Sequence, residues 1–122
     1  MTTLAGKTAV ILGASGTANF GSAIARRLAA EGANVVVAAR RREPLEQLAS
    51  ELGGTAVACD VTREGDIEQL FKTALDTYGR VDIAVFSAGI HSAGAIAELS
   101  AEAIRPTLEI SVIGALLFFR YA

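Results

Sequence analysis

The sequence predicts an α/β fold in which a doubly wound parallel sheet carries helices on both faces. Four short apolar runs, rich in β-branched residues, alternate along the 122-residue chain with four longer segments of helical periodicity. Strands that are apolar throughout, rather than alternately apolar and polar, are covered on both faces. Right-handed crossovers between such strands then predict a three-layer architecture with the strand order 3-2-1-4.

The first unit is a strand over Lys7–Leu12 followed by a helix over Ser22–Ala30. Ile24 and Leu28 lie one helical turn apart, which predicts a helix packed on the sheet. The turn between strand and helix contains three glycines, Gly13, Gly16 and Gly21. A helix N-terminus offers N–H groups and a positive dipole, and glycines let a pyrophosphate approach the backbone. The turn is therefore a candidate dinucleotide site, the alternative being a tight turn that binds no ligand.

The second and third units repeat this arrangement. A buried strand over Val35–Ala39 leads to a helix with leucines at helical spacing, which ends at Gly53. A third short strand over Thr55–Cys59 leads to a helix over Ile67–Tyr78, for which Thr62 is the expected N-cap. The cysteine at the end of the third strand is expected to be a small buried apolar residue.

The fourth unit is a strand over Val81–Phe86, a polar loop, and a last helix that starts at about Ala103 or Thr107 and runs to the end. Large apolar side chains occupy Leu116–Phe119, with no closing glycine or proline after them. We therefore expect a piece of a longer chain. An open outer edge on the fourth strand and an exposed apolar tail favour a homo-oligomer that uses both.

Composition excludes several classes of protein. One domain over residues 1–122 fits the length, and 52% hydrophobic residues indicate a packed core. A net charge of −2 argues against nucleic acid as a partner. A single cysteine and a single histidine exclude an internal disulfide and argue against a metal site, which favours a reducing, cytoplasmic location. No signal peptide is evident, and the longest apolar stretch is too short for a membrane span.

Four motifs follow one another in a fixed order: the glycine turn, Asp60-Val61, Ser87-Ala88-Gly89 and Ile110–Gly114. Together they resemble the short-chain dehydrogenase/reductase family over essentially the whole chain. The family's turn is T-G-x-x-x-G-x-G, its Asp-Val contacts adenine, its Asn-Ala-Gly follows the fourth strand, and its Val-Asn-Leu-x-Gly lies in the fifth helix. The resemblance implies a Rossmann-like, NAD(P)-binding domain, truncated after that fifth helix.

The resemblance also implies an oxidoreductase that moves a hydride between a nicotinamide cofactor and a carbonyl or an activated double bond of an unspecified substrate. The implied cofactor contacts in the turn are Gly13, Ser15, Gly16, Asn19, Phe20 and Gly21. Beyond the turn, the resemblance implies that Asp60 and Val61 contact the adenine. It also implies that Ala88 and Gly89, together with the adjacent Ser87, lie on the ribose side of the cofactor.

Arg40 distinguishes NADP from NAD. A cofactor with a free ribose 2′-hydroxyl usually meets an Asp or Glu at the end of the second strand, where this chain has Ala39 followed by Arg40. A guanidinium suits the 2′-phosphate of NADP, which makes NADP the expected cofactor. The alternative for Arg40 is a solvated basic start of the next helix. Asp60 has an alternative too, as a cap of the turn before the third helix. For His91, which lies in a polar loop, a surface position is the default, and a place in the substrate site is the alternative.

Departures from the family's pattern define the remaining expectations. The glycine turn is two residues longer than usual and is similar to the G-x-x-x-x-x-S-x-A form of divergent enoyl reductases, with Asn19 and Gly21 in the Ser and Ala positions. Ser87 replaces an Asn that braces the family's sheet. Ser111 replaces an Asn that supports its proton relay, and is only a weak catalytic candidate.

The family's Tyr-x-x-x-Lys pair is absent from the sequence. Tyr78 is followed by Asp82 at that spacing, Tyr121 is followed only by an alanine, and the lysines are Lys7 and Lys72. We therefore predict no residue of this sequence to transfer a proton in catalysis. The alternative to a working oxidoreductase is a catalytically inactive nucleotide-binding or self-assembling half-fold.

Overall fold

The computed structural model describes residues 3–14, 19–89 and 94–122. Its strands form one parallel sheet in the order β3-β2-β1-β4. They are β1 (Thr8–Leu12), β2 (Asn34–Ala39), β3 (Thr55–Ala58) and β4 (Ile83–Phe86). The predicted α/β class and the strand order are confirmed. In the described part of the chain β4 pairs only with β1, so its outer edge has no strand partner.

Three helices connect the strands, and a long helical segment follows β4. The helices are α1 (Phe20–Ala30), α2 (Arg42–Leu52), α3 (Glu64–Tyr78), α4 (Ala101–Leu108) and α5 (Ala115–Tyr121). A single 3-10 turn at Ile96–Glu98 precedes α4, and a π-helical segment at Glu109–Gly114 joins α4 to α5 without interrupting the helix. No helix in the described ranges is long and apolar enough to cross a membrane.

The last helix begins earlier than expected from the sequence. Its first residue is Ala101, because the Ser100 hydroxyl oxygen accepts a hydrogen bond from the Ala103 N–H at 3.2 Å and acts as the N-cap. No residue of α4 is buried.

Alternate side chains of the central strands point into two separate cores. Val10, Leu12 and Val36 pack with α3 and α5, whereas Ile11 and Val37 pack with α1 and α2. Both faces of the sheet are therefore covered, as apolar central strands require. Because all four strands are parallel, their carboxyl ends lie at one edge of the sheet between these two helical layers.

The structure corrects the expectation that Leu116–Phe119 forms one exposed cluster. Phe118 is fully buried, with its ring centroid 5.0 Å from that of Phe71 and 5.5 Å from that of Phe86. Leu116 and Phe119 are 68% and 56% exposed. The tail is amphipathic: one face completes the core beneath α3 and β4, and the other remains a surface.

Asp82 ties the amino-terminal ends of β1 and β4 together. One carboxylate oxygen accepts the Thr8 N–H at 2.9 Å, and the Arg80 guanidinium donates to both carboxylate oxygens at 2.8 and 2.7 Å. The hydrogen bonds from Arg80, followed by that from Thr8, lower the pKa of Asp82 to about 2.

Acid should destabilise the fold partly through Asp82. Because the pKa is lower in the folded state than the ordinary value of 3.8, the ionised carboxylate contributes stability above about pH 4, and this contribution is lost as the pH falls towards 2. We expect Asp82→Asn to flatten the dependence of the urea midpoint on pH in this window. Equal slopes for the variant and the unmodified chain would show that the Asp82 contacts do not favour the folded state.

Candidate functional site

A cleft of about 300 Å³ opens at the carboxyl edge of the sheet. Nine of the residues predicted to hold a cofactor line it: Gly13, Asn19, Phe20, Arg40, Asp60, Val61, Ser87, Ala88 and Gly89. They come from segments far apart in sequence, and they meet because parallel strands present their carboxyl ends to the same edge. The structure thus brings the predicted residues together, and their contacts with a cofactor stay predictions.

The other predicted residues are placed differently. Gly21 does not line the cleft but lies beneath it, against the backbone of Gly13. Ser111 is exposed on the π-helical segment, where its hydroxyl oxygen is 3.9 Å from the position that a Cβ on Gly89 would take. Ser15, Gly16 and His91 lie outside the described residues.

Gly13 and Gly21 are required by the packing of the first turn. Gly13 has a φ of 103°, and a Cβ on it would lie 2.5 Å from the backbone nitrogen of Ala88. A Cβ on Gly21 would overlap the carbonyl oxygen of Gly13. The two glycines therefore allow the start of α1, the end of β1 and the loop after β4 to approach one another, whether or not a ligand is bound.

Asn19 caps α1 at the mouth of the cleft. Its side-chain oxygen accepts the Ser22 N–H at 2.7 Å, and the Ser22 hydroxyl is 3.3 Å from the Asn19 N–H, which completes a capping box. The first turn of α1 has no acidic side chain. The positive end of the helix dipole is therefore not neutralised locally, which suits an anion in the cleft.

Asp60 forms the turn that leads into α3, which is the alternative that the sequence left open. Its Oδ1 accepts the Thr62 N–H at 2.9 Å and the Thr62 hydroxyl at 2.7 Å. The expectation that Thr62 is the N-cap of α3 is wrong, because Thr62 donates to Asp60 and Arg63 occupies the N-cap position. The bonds from Thr62 lower the pKa of Asp60, with smaller contributions from the charges of Arg40 and Arg63. Asp60 is therefore ionised at neutral pH.

The three consecutive arginines after β2 are not equivalent. Arg40 lines the cleft and is exposed, and it forms no ion pair with any residue of the described ranges. The Arg42 guanidinium lies 3.6 Å from the carboxylate of Glu46, one helical turn further on. Arg41 occupies the N-cap position of α2, but its side chain makes no capping hydrogen bond. Arg40 is therefore the one arginine of these three that lines the cleft.

The floor of the cleft is apolar. Cys59 is buried there as expected, and burial, followed by the nearby charges of Asp66 and Asp60, raises the pKa of its thiol to about 12. The thiol is thus neutral at physiological pH and is a poor nucleophile. Ser87 extends the pairing of β4 with β1, since its N–H donates to the Leu12 carbonyl oxygen at 2.8 Å.

Sequence reasoning missed Ile110 as a lining residue. It reaches the cleft from the π-helical segment, alongside Val61 and Gly89. Periodicity alone could not find it, because the last helix is rich in apolar residues on several sides. Its place at the start of the Ile110–Gly114 motif was the available signal.

Neither tyrosine of the chain lines the cleft. The Tyr78 hydroxyl is 3.0 Å from that of Thr55, and the Tyr121 hydroxyl donates to a Glu64 carboxylate oxygen at 2.7 Å. Among the residues that the structure describes, no group of three or more His, Cys, Asp or Glu side chains is arranged to hold a metal ion.

The sequence is similar to those of known oxidoreductases. A family model named for enoyl-(acyl carrier protein) reductase matches residues 13–122. A borneol dehydrogenase, named as mitochondrial, from Lavandula x intermedia is 35% identical over 121 residues, or 98% of this chain and 46% of the relative. A 2,5-dichloro-2,5-cyclohexadiene-1,4-diol dehydrogenase from Sphingobium indicum is 36% identical, covering 99% of this chain and 49% of the relative.

Solved structures extend the comparison. A short-chain dehydrogenase from Mycobacterium smegmatis superposes on this chain with a TM-score of 0.93 at 28% sequence identity. The match covers all of this chain and 52% of the dehydrogenase. A variant of actinorhodin polyketide ketoreductase, solved with NADPH, gives a TM-score of 0.89 at 34% identity, covering 99% of this chain and 48% of its own. The chain thus spans about half the length of the proteins that it matches.

Proposed function

The chain belongs to the short-chain dehydrogenase/reductase family of oxidoreductases, and on this premise we propose that its cleft binds NADP(H). In the whole protein, the bound nicotinamide exchanges a hydride with a carbonyl or an activated double bond. The observation that carries the proposal is the position of Arg40, which lines the same cleft as the glycine turn and forms no ion pair within the described ranges. The residues of this chain bind and orient the cofactor.

The pyrophosphate is assigned to the N-terminus of α1. Backbone N–H groups at the start of a helix and the positive end of its dipole favour an anion, and no acidic side chain in the first turn opposes it. Ser15 and Gly16 belong to the same turn and are part of the proposal. Asn19 contributes by fixing the start of the helix through its cap.

The 2′-phosphate of NADP is assigned to Arg40, and this assignment makes NADP the preferred cofactor over NAD. A guanidinium forms charge-assisted hydrogen bonds with a phosphate, whereas the 2′-hydroxyl of NAD usually meets an acidic side chain at this place. The ketoreductase relative, which was solved with NADPH, supports the same choice.

The adenine is assigned to the part of the cleft beside Asp60 and Val61. Val61 is 7% exposed and offers an apolar wall, and Asp60 is held in place by its two bonds from Thr62. Ala88 and Gly89, with Ser87, are assigned to the ribose side, where the absence of large side chains leaves room for the sugar.

The substrate is proposed only as a class. The matching family model is named for reduction of an enoyl group, and the two dehydrogenases are named for alcohol and diol substrates. Both reactions transfer a hydride from or to the nicotinamide. The longer glycine turn of this chain, which is similar to that of divergent enoyl reductases, keeps enoyl reduction among the candidates.

Nucleotide binding without turnover is a second candidate for these 122 residues. The supporting observation is that neither Tyr78 nor Tyr121 lines the cleft, and both hydroxyls are bonded elsewhere. Without a proton donor beside the substrate, the reaction loses general acid catalysis, which typically contributes about 10²- to 10⁴-fold in rate. We expect no meaningful turnover by this polypeptide alone.

Titration with NADPH and NADH, followed by the fluorescence of the reduced nicotinamide, tests the proposal. We expect NADPH to bind more tightly than NADH. Failure of both to bind would overturn the dinucleotide site, and equal affinities would remove Arg40 from its role. A parallel assay of ketones, aldehydes and enoyl thioesters with NADPH separates the two candidates, because ordinary enzymatic turnover would exclude the inactive one.

The cytoplasm is proposed as the location. The free thiol of Cys59 suits a reducing compartment, and the relative from Lavandula, which is named as mitochondrial, makes the mitochondrion the competing location. Fluorescence microscopy of a tagged chain in its host cell distinguishes the two.

A homo-oligomer is also proposed, through the exposed face of the last helix. Leu108, Val112, Leu116 and Phe119 are each about half exposed or more on this helix, and β4 offers an open edge nearby. Several large exposed apolar side chains on one helix favour an interface.

Charges on that face should break the oligomer without unfolding the chain. We expect Leu116→Glu combined with Phe119→Glu to give a monomer in light scattering, because both side chains are more than half exposed, although the Phe119 ring also packs edge-on at 5.2 Å from Phe118. Leu75→Glu, at an exposed apolar position on α3, is the matched control and should leave the mass unchanged. A monomer for the unmodified chain would contradict the proposal.

A further inference from the structure

Gly114 lies where the last helix touches the loop between β3 and α3. It is buried, and a Cβ placed on it would overlap the Cγ1 atom of Val61. The same Cβ would lie 3.2 Å from the Glu109 carbonyl oxygen and 3.5 Å from that of Val61. Any side chain at position 114 therefore has to displace the side chain of Val61 or separate the two elements.

Val61 has little freedom to move away from such a side chain. It is 7% exposed, and its β-branched side chain has few rotamers. It packs in the same core as Phe71 and Phe118, which closes the directions towards the sheet. The open direction for Val61 is the cleft, which it lines.

The last helix is also held from withdrawing. Seven residues after Gly114, the Tyr121 hydroxyl donates to a Glu64 carboxylate oxygen at 2.7 Å, and the Arg120 guanidinium lies 3.6 Å from the same oxygen. Glu64 is the first residue of α3, three positions after Val61. The helix and the loop are thus joined on the far side of the Gly114 contact, so that a new side chain displaces Val61 more readily than the helix.

We infer that Gly114 is a positioning residue, which sets the shape of the adenine end of the cleft by leaving room for Val61. The inference rests on the proposed dinucleotide site. Gly114 itself does not line the cleft and acts only through Val61. The Ile110–Gly114 motif marks this glycine in the sequence, but the motif does not show that Gly114 acts through Val61.

Calorimetric titration with adenosine 2′,5′-bisphosphate, which carries the adenine and the 2′-phosphate without the nicotinamide, tests the inference. We expect Gly114→Ala to bind about tenfold more weakly than the unmodified chain, as overpacking of a well-packed contact predicts. Calorimetry separates the dissociation constant from the binding stoichiometry. A merely structural role would lower the stoichiometry, through loss of folded protein, and leave the constant unchanged.

Val61→Ala provides the decisive comparison. The double variant Gly114→Ala, Val61→Ala should bind as tightly as Val61→Ala alone, because the Cγ1 atom that a Cβ at position 114 would displace is then absent. Gly65→Ala is the matched control: Gly65 is a helical glycine in α3 with no atom within 4 Å of an added Cβ, and the substitution should leave the affinity unchanged.

Each outcome bears on one of the two proposals. If the unmodified chain fails to bind the bisphosphate, the dinucleotide site and the adenine assignment both fail. If it binds and Gly114→Ala binds equally well, or the two substitutions weaken binding independently, only the role of Gly114 fails. If Gly114→Ala does not fold, the double variant decides: recovery of folding and of the affinity of Val61→Ala supports the inference, and no recovery overturns it.

Discussion

Replacing Phe118 by alanine should lower the free energy of unfolding by about 3–5 kcal/mol, the usual cost of removing a fully buried phenylalanine. Its ring packs at 5.0 Å from Phe71 on α3 and 5.5 Å from Phe86 on β4, so the substitution leaves a cavity between three elements. Urea denaturation followed by circular dichroism measures the loss. A loss of this size is a large part of the stability of a small domain.

Phe119→Ala is the matched control, because the neighbouring ring is 56% exposed. Its effect should be much smaller than that of Phe118→Ala when both are measured at protein concentrations low enough to keep the chain monomeric. Similar losses for both variants would contradict the division of the tail into a buried and an exposed face. A loss below about 1 kcal/mol for Phe118→Ala would show that α5 does not belong to the core.

The effect of Phe118 should extend to the cleft. Phe118 is the buried residue of α5, and the π-helical segment immediately before α5 contributes Ile110 to the cleft and Gly114 to the contact with Val61. If α5 separates from α3, Ile110 and Gly114 are no longer held in place by the helix that follows them. Weaker binding of NADPH by Phe118→Ala, at temperatures where the sheet remains folded, is therefore part of the expected result.

The strand order and the grouping of the site residues could be predicted from the sequence because both follow from simple rules. Apolar runs over Val35–Ala39 and Val81–Phe86 read as strands covered on both faces, and parallel strands bring the residues that follow them to one edge. Arg40, Asp60 and Ser87 lie around one cleft for this reason. No knowledge of side-chain packing was needed for that prediction.

Features that depend on competition between neighbours could not be predicted. Thr62 and Asp60 are both able to cap a turn, and the sequence does not say that Thr62 donates to Asp60 instead of capping α3. Leu116–Phe119 are all apolar, so only the packing of α5 reveals that Phe118 is buried while its neighbours are exposed. The contact of Gly114 with Val61 joins segments more than 50 residues apart, and no local pattern encodes it.

We propose that one arginine of three selects NADP over NAD. Arg40, Arg41 and Arg42 carry the same charge, and at ordinary ionic strength their long-range fields in the cleft differ little. What differs is position: Arg40 lines the cleft, whereas Arg42 lies near Glu46 on the next helical turn. If Arg40 bonds directly to the 2′-phosphate, removing Arg40 should reduce the affinity for NADPH much more than removing its neighbour Arg41. If the arginines act only through a general basic field, the two losses of affinity should be similar.

Arg40→Ala should weaken the binding of NADPH by about 10- to 100-fold, because hydrogen bonds between charged groups contribute about 1.5–3 kcal/mol. The binding of NADH should remain nearly unchanged, because NADH has no 2′-phosphate with which Arg40 could form such bonds. Fluorescence titration with both cofactors, at low and at high salt, measures the change. Arg41→Ala is the matched control: it removes the adjacent charge outside the cleft and should reduce the affinity for NADPH only slightly, and less at high salt. Equal losses for Arg40→Ala and Arg41→Ala, or a parallel loss of NADH binding, would contradict a direct contact between Arg40 and the 2′-phosphate.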